Sequence, residues 1–153
     1  MSVTRADGHR LRALIVLLWR AGLRVSEALA LRSRLLGCFE RASLTTDSAA
    51  RRRLLTFAVV GAGPTGVEYS GAVAELIKHV LPKDYRRIDF AEVSVVLIEA
   101  GERVLATFAP RLSRLATRSL ERKGVRVILG ESVREKLRYY PRSPANRTRI
   151  TAV

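Results

Sequence analysis

Short apolar, β-favouring runs alternate along the chain with stretches in which small and apolar residues recur at helical spacing. The runs cover residues 57–60, 93–98 and 125–129, and each has the length of a strand buried on both faces of a sheet. The helical stretch between the first two runs carries Val67, Ser70, Gly71, Ala74, Leu76 and Ile77. The stretch before the third run carries Leu112, Leu115, Ala116, Ser119 and Leu120. This alternation predicts an α/β fold, a βαβαβ unit whose two helices turn these apolar stripes toward the core.

The first run leads into a G-x-G-x-x-G sequence that opens the first of these helices. Its residues are Gly61, Ala62, Gly63, Pro64, Thr65 and Gly66. In a dinucleotide site the first glycine makes the tight turn, the second lets bare backbone approach a pyrophosphate, and the third lets the helix lie close to the strand. The anion faces the N–H groups of the helix N-terminus, where a proline suits the first turn because it lacks an N–H. The motif predicts a partial Rossmann-like, dinucleotide-binding unit.

An acidic residue, Glu99, follows the second run directly. In this fold an acid at that strand end binds the ribose hydroxyls of the adenosine half, so Glu99 and the adjacent Ala100 are candidate cofactor contacts. Glu99 lies further from the glycines than the usual spacing of about 20 residues. The excess predicts an insertion between Lys78 and Glu92, consisting of a helix extension and a polar loop.

These residues resemble a known family. Leu54 to Glu99 closely resembles the NADH-binding domain of type II NADH dehydrogenases, single-chain flavoproteins that pass electrons from NADH through FAD to a quinone. The resemblance rests on Gly-Ala-Gly-Pro-Thr-Gly-Val-Glu and Val-Val-Leu-Ile-Glu-Ala-Gly, together with the long crossover between them, and extends from about residue 35 to residue 133.

The resemblance implies that Glu68 lies near the nicotinamide where it meets the flavin. It implies a separate FAD fingerprint and a membrane-associating C-terminal part as well, and this chain shows neither. The expected cofactor is therefore NAD, with FAD only in the full-length family. A missing flavin domain is an expected partner, a quinone is a partner of the complete enzyme alone, and the chain is expected to be inactive by itself.

The N-terminal part carries a different resemblance. Apolar residues at 11, 14, 15 and 18 predict one helix, and Ser26 can cap a second short helix through Leu31. Residues 20–31 resemble the first catalytic motif of tyrosine recombinases, with Arg24 at the position that holds the scissile phosphate. The later His-x-x-Arg box is absent because Pro82 stands where its arginine should be. A helical hairpin without strand-transfer activity is favoured.

The charge distribution and the cysteine content exclude several classes of function. The net charge of +14 comes from the ends: residues 1–53 carry 11 basic and 4 acidic side chains, residues 54–100 carry 4 and 6, and residues 101–153 carry 13 and 4. A near-neutral centre fits a nucleotide core, and no nucleic-acid partner is expected. The single cysteine, Cys38, excludes the dithiol of a disulfide reductase. No metal site, membrane span or signal peptide is predicted, so a cytoplasmic location is expected.

The sequence thus divides into four parts. Residues 1–33 form the helical, recombinase-like segment, 34–53 a helical lead-in, 54–138 a truncated NADH-binding unit, and 139–153 a basic tail predicted to be disordered. Two alternatives stay open: an FAD-binding Rossmann fragment, and a DNA-binding remnant of a recombinase. The two resemblances belong to unrelated families, so the reading frame could be fused or rearranged.

Overall fold

The computed structural model describes residues 25–131, with side chains from residue 29 onward. Its elements in chain order are α1 (Val25–Leu44), α2 (Ser48–Leu54), β1 (Thr56–Val60), α3 (Pro64–His79), β2 (Ser94–Ile98), α4 (Pro110–Arg122) and β3 (Val125–Ile128). Two 3₁₀ helices, Leu81–Lys83 and Phe90–Glu92, lie between α3 and β2. The predicted helix around residues 11–18, Arg24 and the predicted tail lie outside the described residues.

The three strands form one sheet in the order β1-β2-β3. β2 and β3 are parallel, and their register pairs Val95 with Val125 and Ile98 with Ile128. The central strand β2 is buried from Val95 to Ile98, as expected of a continuous apolar run between helices on both faces. The predicted α/β, Rossmann-like βαβαβ fold is confirmed, and each strand begins and ends within one residue of its predicted bounds.

Helix α1 is continuous, although the sequence suggested a short helix ending near Leu31 and a second beginning after it. The residues between, Arg32 to Arg34, include no glycine or proline, so nothing there interrupts helical hydrogen bonding. Residues 45–47 separate α1 from α2. Asp47 caps α2 there, since its side chain accepts a hydrogen bond of 2.9 Å from the Ala49 N–H.

The described residues fall into two compact units that alternate along the chain, and the first comprises residues 25–56 and 72–94. Its core contains the fully buried Phe39, whose ring centroid lies 5.2 Å from that of Tyr85 and 5.8 Å from that of Phe90. Leu81 and Ile88 are also buried. The insertion was predicted to be a helix extension and a polar loop, but it delivers aromatic and aliphatic side chains to this core.

The second unit comprises residues 57–71 and 95–131 and contains the glycine turn, β3 and α4. On α4 the predicted apolar stripe is only partly buried: Leu120 is 3% exposed, whereas Leu112 and Leu115 are 48% and 50% exposed. The buried side of the helix is defined by Leu120 and Ser113, seven residues apart and therefore two turns along the same face. Leu112 and Leu115 lie on other sides of the helix, so the prediction that these two residues are buried was wrong.

Within residues 25–131, no helix combines the length and apolarity needed to cross a membrane. The one cysteine, Cys38, is a free, partly buried thiol. Burial raises its pKa, and the nearby Arg41 lowers the pKa by a smaller amount. A thiol with a raised pKa is a weak nucleophile at neutral pH, so Cys38 acts as a small packing residue.

Gly66 lies against the turn that leaves β1. A Cβ atom at Gly66 would overlap the carbonyl oxygen of Gly61, whereas a Cβ atom at Gly63 would meet nothing within 4 Å. We expect Gly66→Ala to lower the free energy of unfolding by about 1–3 kcal/mol, because a backbone atom must move and the gain of up to about 1 kcal/mol in helix propensity does not offset that strain. Urea denaturation measures the free energy of unfolding. Gly63→Ala is the matched control, and we expect its free energy of unfolding to lie within about 0.5 kcal/mol of the wild-type value. A stability of Gly66→Ala equal to that of the control would contradict the close packing.

In the first unit a bidentate ion pair joins α2 to the second 3₁₀ helix. Arg51 donates from Nε and Nη2 to the two carboxylate oxygens of Glu92, both at 2.8 Å. The hydrogen bonds from Arg51 hold the pKa of Glu92 below its usual value. A depressed pKa in the folded state means that the stabilisation is present above the unfolded pKa and is lost as the pH falls through the folded value.

We therefore expect Glu92→Gln to lower the melting temperature at pH 7 and to have a much smaller effect in acid, well below pH 4.5, where wild-type Glu92 is itself protonated. Thermal unfolding followed by circular dichroism from pH 7 into acid measures how far the two melting temperatures converge. Glu40→Gln provides a control that removes an exposed carboxylate from the same unit. A difference between Glu92→Gln and wild type that stays constant from pH 7 into acid would rule out the ion pair as its source.

Candidate functional site

The glycine turn lies where β1 ends, at the carboxyl edge of the sheet. Gly61 has a φ of +92°, a left-handed conformation that L side chains rarely adopt, and its N–H donates to the carbonyl oxygen of Ile98 on β2 at 2.9 Å. This hydrogen bond joins the first residue of the turn to the neighbouring strand β2. After two further residues the chain enters α3 at Pro64, and the Gly63 carbonyl accepts the first helical hydrogen bond, from the Val67 N–H at 3.0 Å.

Glu99 directly follows β2, and its carboxylate reaches the glycine turn. One oxygen accepts a hydrogen bond of 2.6 Å from the Ala62 N–H, and the other accepts one of 2.8 Å from the Gly101 N–H. The bond from Ala62 and then that from Gly101 hold the pKa of Glu99 below its usual value, while partial burial opposes them. Glu99 is therefore a carboxylate at neutral pH.

The loop after β2 closes onto the same residue. The buried Ala62 accepts a hydrogen bond of 2.8 Å at its carbonyl oxygen from the Leu105 N–H. Arg103 holds the loop in shape by donating to the carbonyl oxygens of Ala106 at 2.6 Å and Phe108 at 3.2 Å. Both backbone polar groups of Ala62 are thus satisfied by the β2 strand end and the loop that follows it.

The remaining candidate residues lie at the surface. Gly63, Pro64, Thr65, Glu68 and Ala100 are all exposed. Gly63 and Thr65 lie beside the first N–H groups of α3, which have no partner within the helix and carry its partial positive charge. Glu68 lies one turn further along α3, and no hydrogen bond or ion pair joins its side chain to another residue between 29 and 131.

This arrangement has the features that an anionic, ribose-bearing ligand requires. The N-terminus of α3 offers N–H donors and positive potential beside a glycine without a side chain. Two backbone N–H groups occupy part of the accepting capacity of Glu99, and a carboxylate has about four lone-pair sites, so further hydroxyl donors can still bind it. The structure brings the glycine turn and Glu99 together by direct contact and leaves Glu68 apart from that contact.

Sequence reasoning missed three members of this cluster: Gly101, Leu105 and Arg103. The first is the glycine of Glu-Ala-Gly, whose position two residues after the acid could have indicated an Asx-like turn closed by the carboxylate. Leu105 has a φ of +51°, and nothing in its side chain favours that conformation. Its role depends on contacts that form only in the folded loop.

Comparison with known proteins yields a consistent set of relatives. A family profile described as pyridine nucleotide-disulphide oxidoreductase matches residues 28–138. Two proteins of Mycobacterium tuberculosis (strain ATCC 25618 / H37Rv) are similar to the chain over 109 residues: the type II NADH:quinone oxidoreductase Ndh, 43% identical, and NdhA, 46% identical. In each case 71% of this chain is covered, and the chain spans about a quarter of the relative's length (24% and 23%).

A solved structure described as NDH2 from Plasmodium falciparum in complex with NADH superposes with a TM-score of 0.64. It is 30% identical in sequence and covers 70% of this chain, which corresponds to 22% of that protein.

The family match begins at residue 28 and so includes part of the segment that resembles the recombinase motif. The recombinase resemblance receives no support from these comparisons. The sequence prediction that the glycine turn and the Glu99 segment resemble type II NADH dehydrogenases is confirmed by relatives that align over them. The chain therefore belongs to the pyridine nucleotide-disulphide oxidoreductase family, in which its relatives are type II NADH:quinone oxidoreductases.

Proposed function

We propose that this chain binds NADH through the glycine turn and Glu99, as the nucleotide-binding part of an NADH:quinone oxidoreductase. The observation that carries the proposal is the contact between the Glu99 carboxylate and the Ala62 N–H. It joins a candidate pyrophosphate site at α3 to a candidate ribose site at β2 along one sheet edge. The NADH bound by the similar Plasmodium falciparum protein supports the same ligand class.

Within this proposal each residue has a separate role. Gly63 and the first N–H groups of α3 would face the pyrophosphate, because no side chain intervenes there. Glu99 would accept hydrogen bonds from the adenosine ribose hydroxyls. Glu68, by its place in the Gly-Val-Glu turn, would lie near the nicotinamide, and its exposed position on α3 leaves it accessible to a ligand.

Electron transfer requires more than these residues. A flavin would take the hydride and pass electrons to a quinone, and that chemistry belongs to the cofactor once its ring is held against the nicotinamide. The 153 residues contain one G-x-G-x-x-G sequence, and it is assigned here to NADH. We therefore expect no enzyme-like NADH oxidation by this chain alone, and binding is the measurement that tests the proposal.

The binding test places a larger side chain at Gly63 than the stability experiment does. A valine at Gly63 fits the protein, because a Cβ atom there meets nothing within 4 Å and a β-branched residue suits the extended backbone before a proline. It would nevertheless fill the space that a pyrophosphate needs. We expect Gly63→Val to keep the wild-type melting temperature within a few degrees and to weaken NADH binding at least about tenfold, measured by isothermal titration calorimetry.

Gly37→Val is the matched control, because it adds the same side chain at another position with open space, on α1. We expect it to bind NADH as wild type does. Wild-type affinity in Gly63→Val would remove the glycine turn from the site, and the absence of NADH binding by the wild-type chain would remove the proposed function altogether.

A second measurement addresses the choice between NADH and NADPH. The carboxylate of Glu99 favours neutral ribose hydroxyls and repels a 2′-phosphate. We expect NADH to bind at least about tenfold more tightly than NADPH, and Glu99→Gln to reduce that ratio toward one because the amide carries no charge.

The ratio is the informative quantity. Glu99→Gln also disturbs the hydrogen bonds to Ala62 and Gly101, and a distorted turn would weaken both ligands alike. Glu102→Gln serves as control, since it removes a neighbouring exposed carboxylate. An unchanged ratio in Glu99→Gln, or a wild-type preference for NADPH, would contradict the assignment of Glu99 to the ribose.

A further inference from the structure

Between residues 25 and 131, Leu105 is the one residue other than glycine whose backbone has a left-handed conformation, with a φ of +51°. An L side chain at such a φ crowds the backbone, so the conformation costs free energy and persists only where neighbouring contacts hold it. Leu105 also donates the hydrogen bond of 2.8 Å to the carbonyl oxygen of Ala62 in the glycine turn. The strained residue is therefore in direct contact with the turn proposed to bind NADH.

The contact with Ala62 fixes the direction of the next N–H group in the glycine turn. The carbonyl of Ala62 and the N–H of Gly63 belong to one peptide unit, and in a planar trans peptide these two groups point in opposite directions. Because the carbonyl points at Leu105, the N–H of Gly63 points away from the loop that contains Leu105. Gly63 is exposed, and its N–H donates to no other residue between 29 and 131. The turn thus presents a hydrogen-bond donor whose direction depends on Leu105.

Three contacts hold Leu105 in its conformation. Its carbonyl oxygen accepts a hydrogen bond of 2.9 Å from the Phe108 N–H, which closes a four-residue turn. Val104, the preceding residue, is fully buried and anchors the chain. The guanidinium of Arg103 then donates to two carbonyl oxygens of the turn, those of Ala106 at 2.6 Å and Phe108 at 3.2 Å. A planar fork of N–H donors makes both bonds at once, whereas a lysine ammonium is a single point of charge.

We propose that Arg103 is a positioning residue for the nucleotide site. Its guanidinium keeps the turn closed, and the closed turn keeps the Leu105 N–H on the Ala62 carbonyl. That bond aims the Gly63 N–H at the position of the pyrophosphate, while Arg103 itself touches no part of the ligand. This role rests on the proposed function, because the pyrophosphate is the group that Gly63 would bind.

The first test compares NADH affinities by isothermal titration calorimetry, at a temperature well below the melting temperature of every variant. We expect Arg103→Gln to weaken NADH binding about tenfold, because the turn opens and the Gly63 N–H loses its direction. Arg103→Lys keeps the charge but not the fork, and we expect it to weaken binding at least about fivefold. Arg114→Gln is the matched control, since it removes the same charge from an exposed arginine of the same unit, and we expect a change of less than about twofold.

The outcomes separate this role from the proposed function. Wild-type affinity in Arg103→Lys together with a loss in Arg103→Gln would mean that charge attracts the ligand, and it would overturn the positioning role. Wild-type affinity in Arg103→Gln would overturn that role and leave NADH binding intact. Absence of NADH binding by the wild-type chain would instead overturn the proposed function, and the positioning role with it.

A further pair of variants tests the part assigned to the Leu105 backbone. Glycine adopts a left-handed φ without steric cost, so Leu105→Gly lets the loop keep its conformation with fewer contacts. We expect Leu105→Gly to improve the NADH affinity of Arg103→Gln at least about threefold, and to change wild-type affinity less than about twofold. Failure of the double variant to bind more tightly than Arg103→Gln would overturn the proposal.

The last measurement needs no ligand. Amide hydrogen exchange followed by NMR reports the opening of individual hydrogen bonds. We expect Arg103→Gln to accelerate exchange at the Leu105 N–H at least about tenfold and to leave exchange at the Gly61 N–H, which donates to Ile98, within about twofold of wild type. Equal acceleration at both N–H groups would indicate a general loss of stability and would overturn the positioning role.

Discussion

A single carboxylate between two backbone N–H groups determines how the edge of the sheet is arranged. Glu99 stands at the end of β2, and its two oxygens engage Ala62 of the glycine turn and Gly101 of the following loop. The turn after β1 and the loop after β2 have no covalent connection near this point. Their relative position is held by this charge-assisted contact together with the hydrogen bonds from Leu105 to Ala62 and from Gly61 to Ile98.

This constraint bears on the free energy of the binding proposed for the glycine turn and Glu99. A ligand that had to gather two loose loops would lose binding free energy to their ordering, whereas loops already joined by Glu99 spare that cost. The same bonds keep the carboxylate ionised by lowering its pKa, so the group that shapes the turn also keeps its charge. If Glu99 binds the ribose as proposed, structural support and ligand recognition are combined in one side chain.

The sequence was sufficient for the sheet and for the elements next to it. Continuous apolar runs predicted all three strands, because strands covered on both faces have no polar alternation to obscure them. The glycine turn was equally readable, since Gly61 needs a left-handed φ and Gly66 needs the absence of a side chain. The burial of Ile88 and the exposure of Leu115 could not be predicted from the sequence, because each depends on which neighbour covers the residue after folding. Periodicity gives the direction of an apolar face but not what lies against it.

The two units that interleave along the chain have a consequence for synthesis on the ribosome. β1 is complete at Val60, but its partner β2 ends at Ile98, and the residues between them belong largely to the other unit. At translation rates of about 5–20 residues per second, β1 waits roughly 2–8 seconds for its partner strand. During that interval its backbone N–H and C=O groups have no sheet to join, so the nascent chain presents an unpaired apolar strand. Slow codons between these strands would lengthen the time for which β1 is exposed. A chaperone that binds short apolar segments would shield β1 during that time.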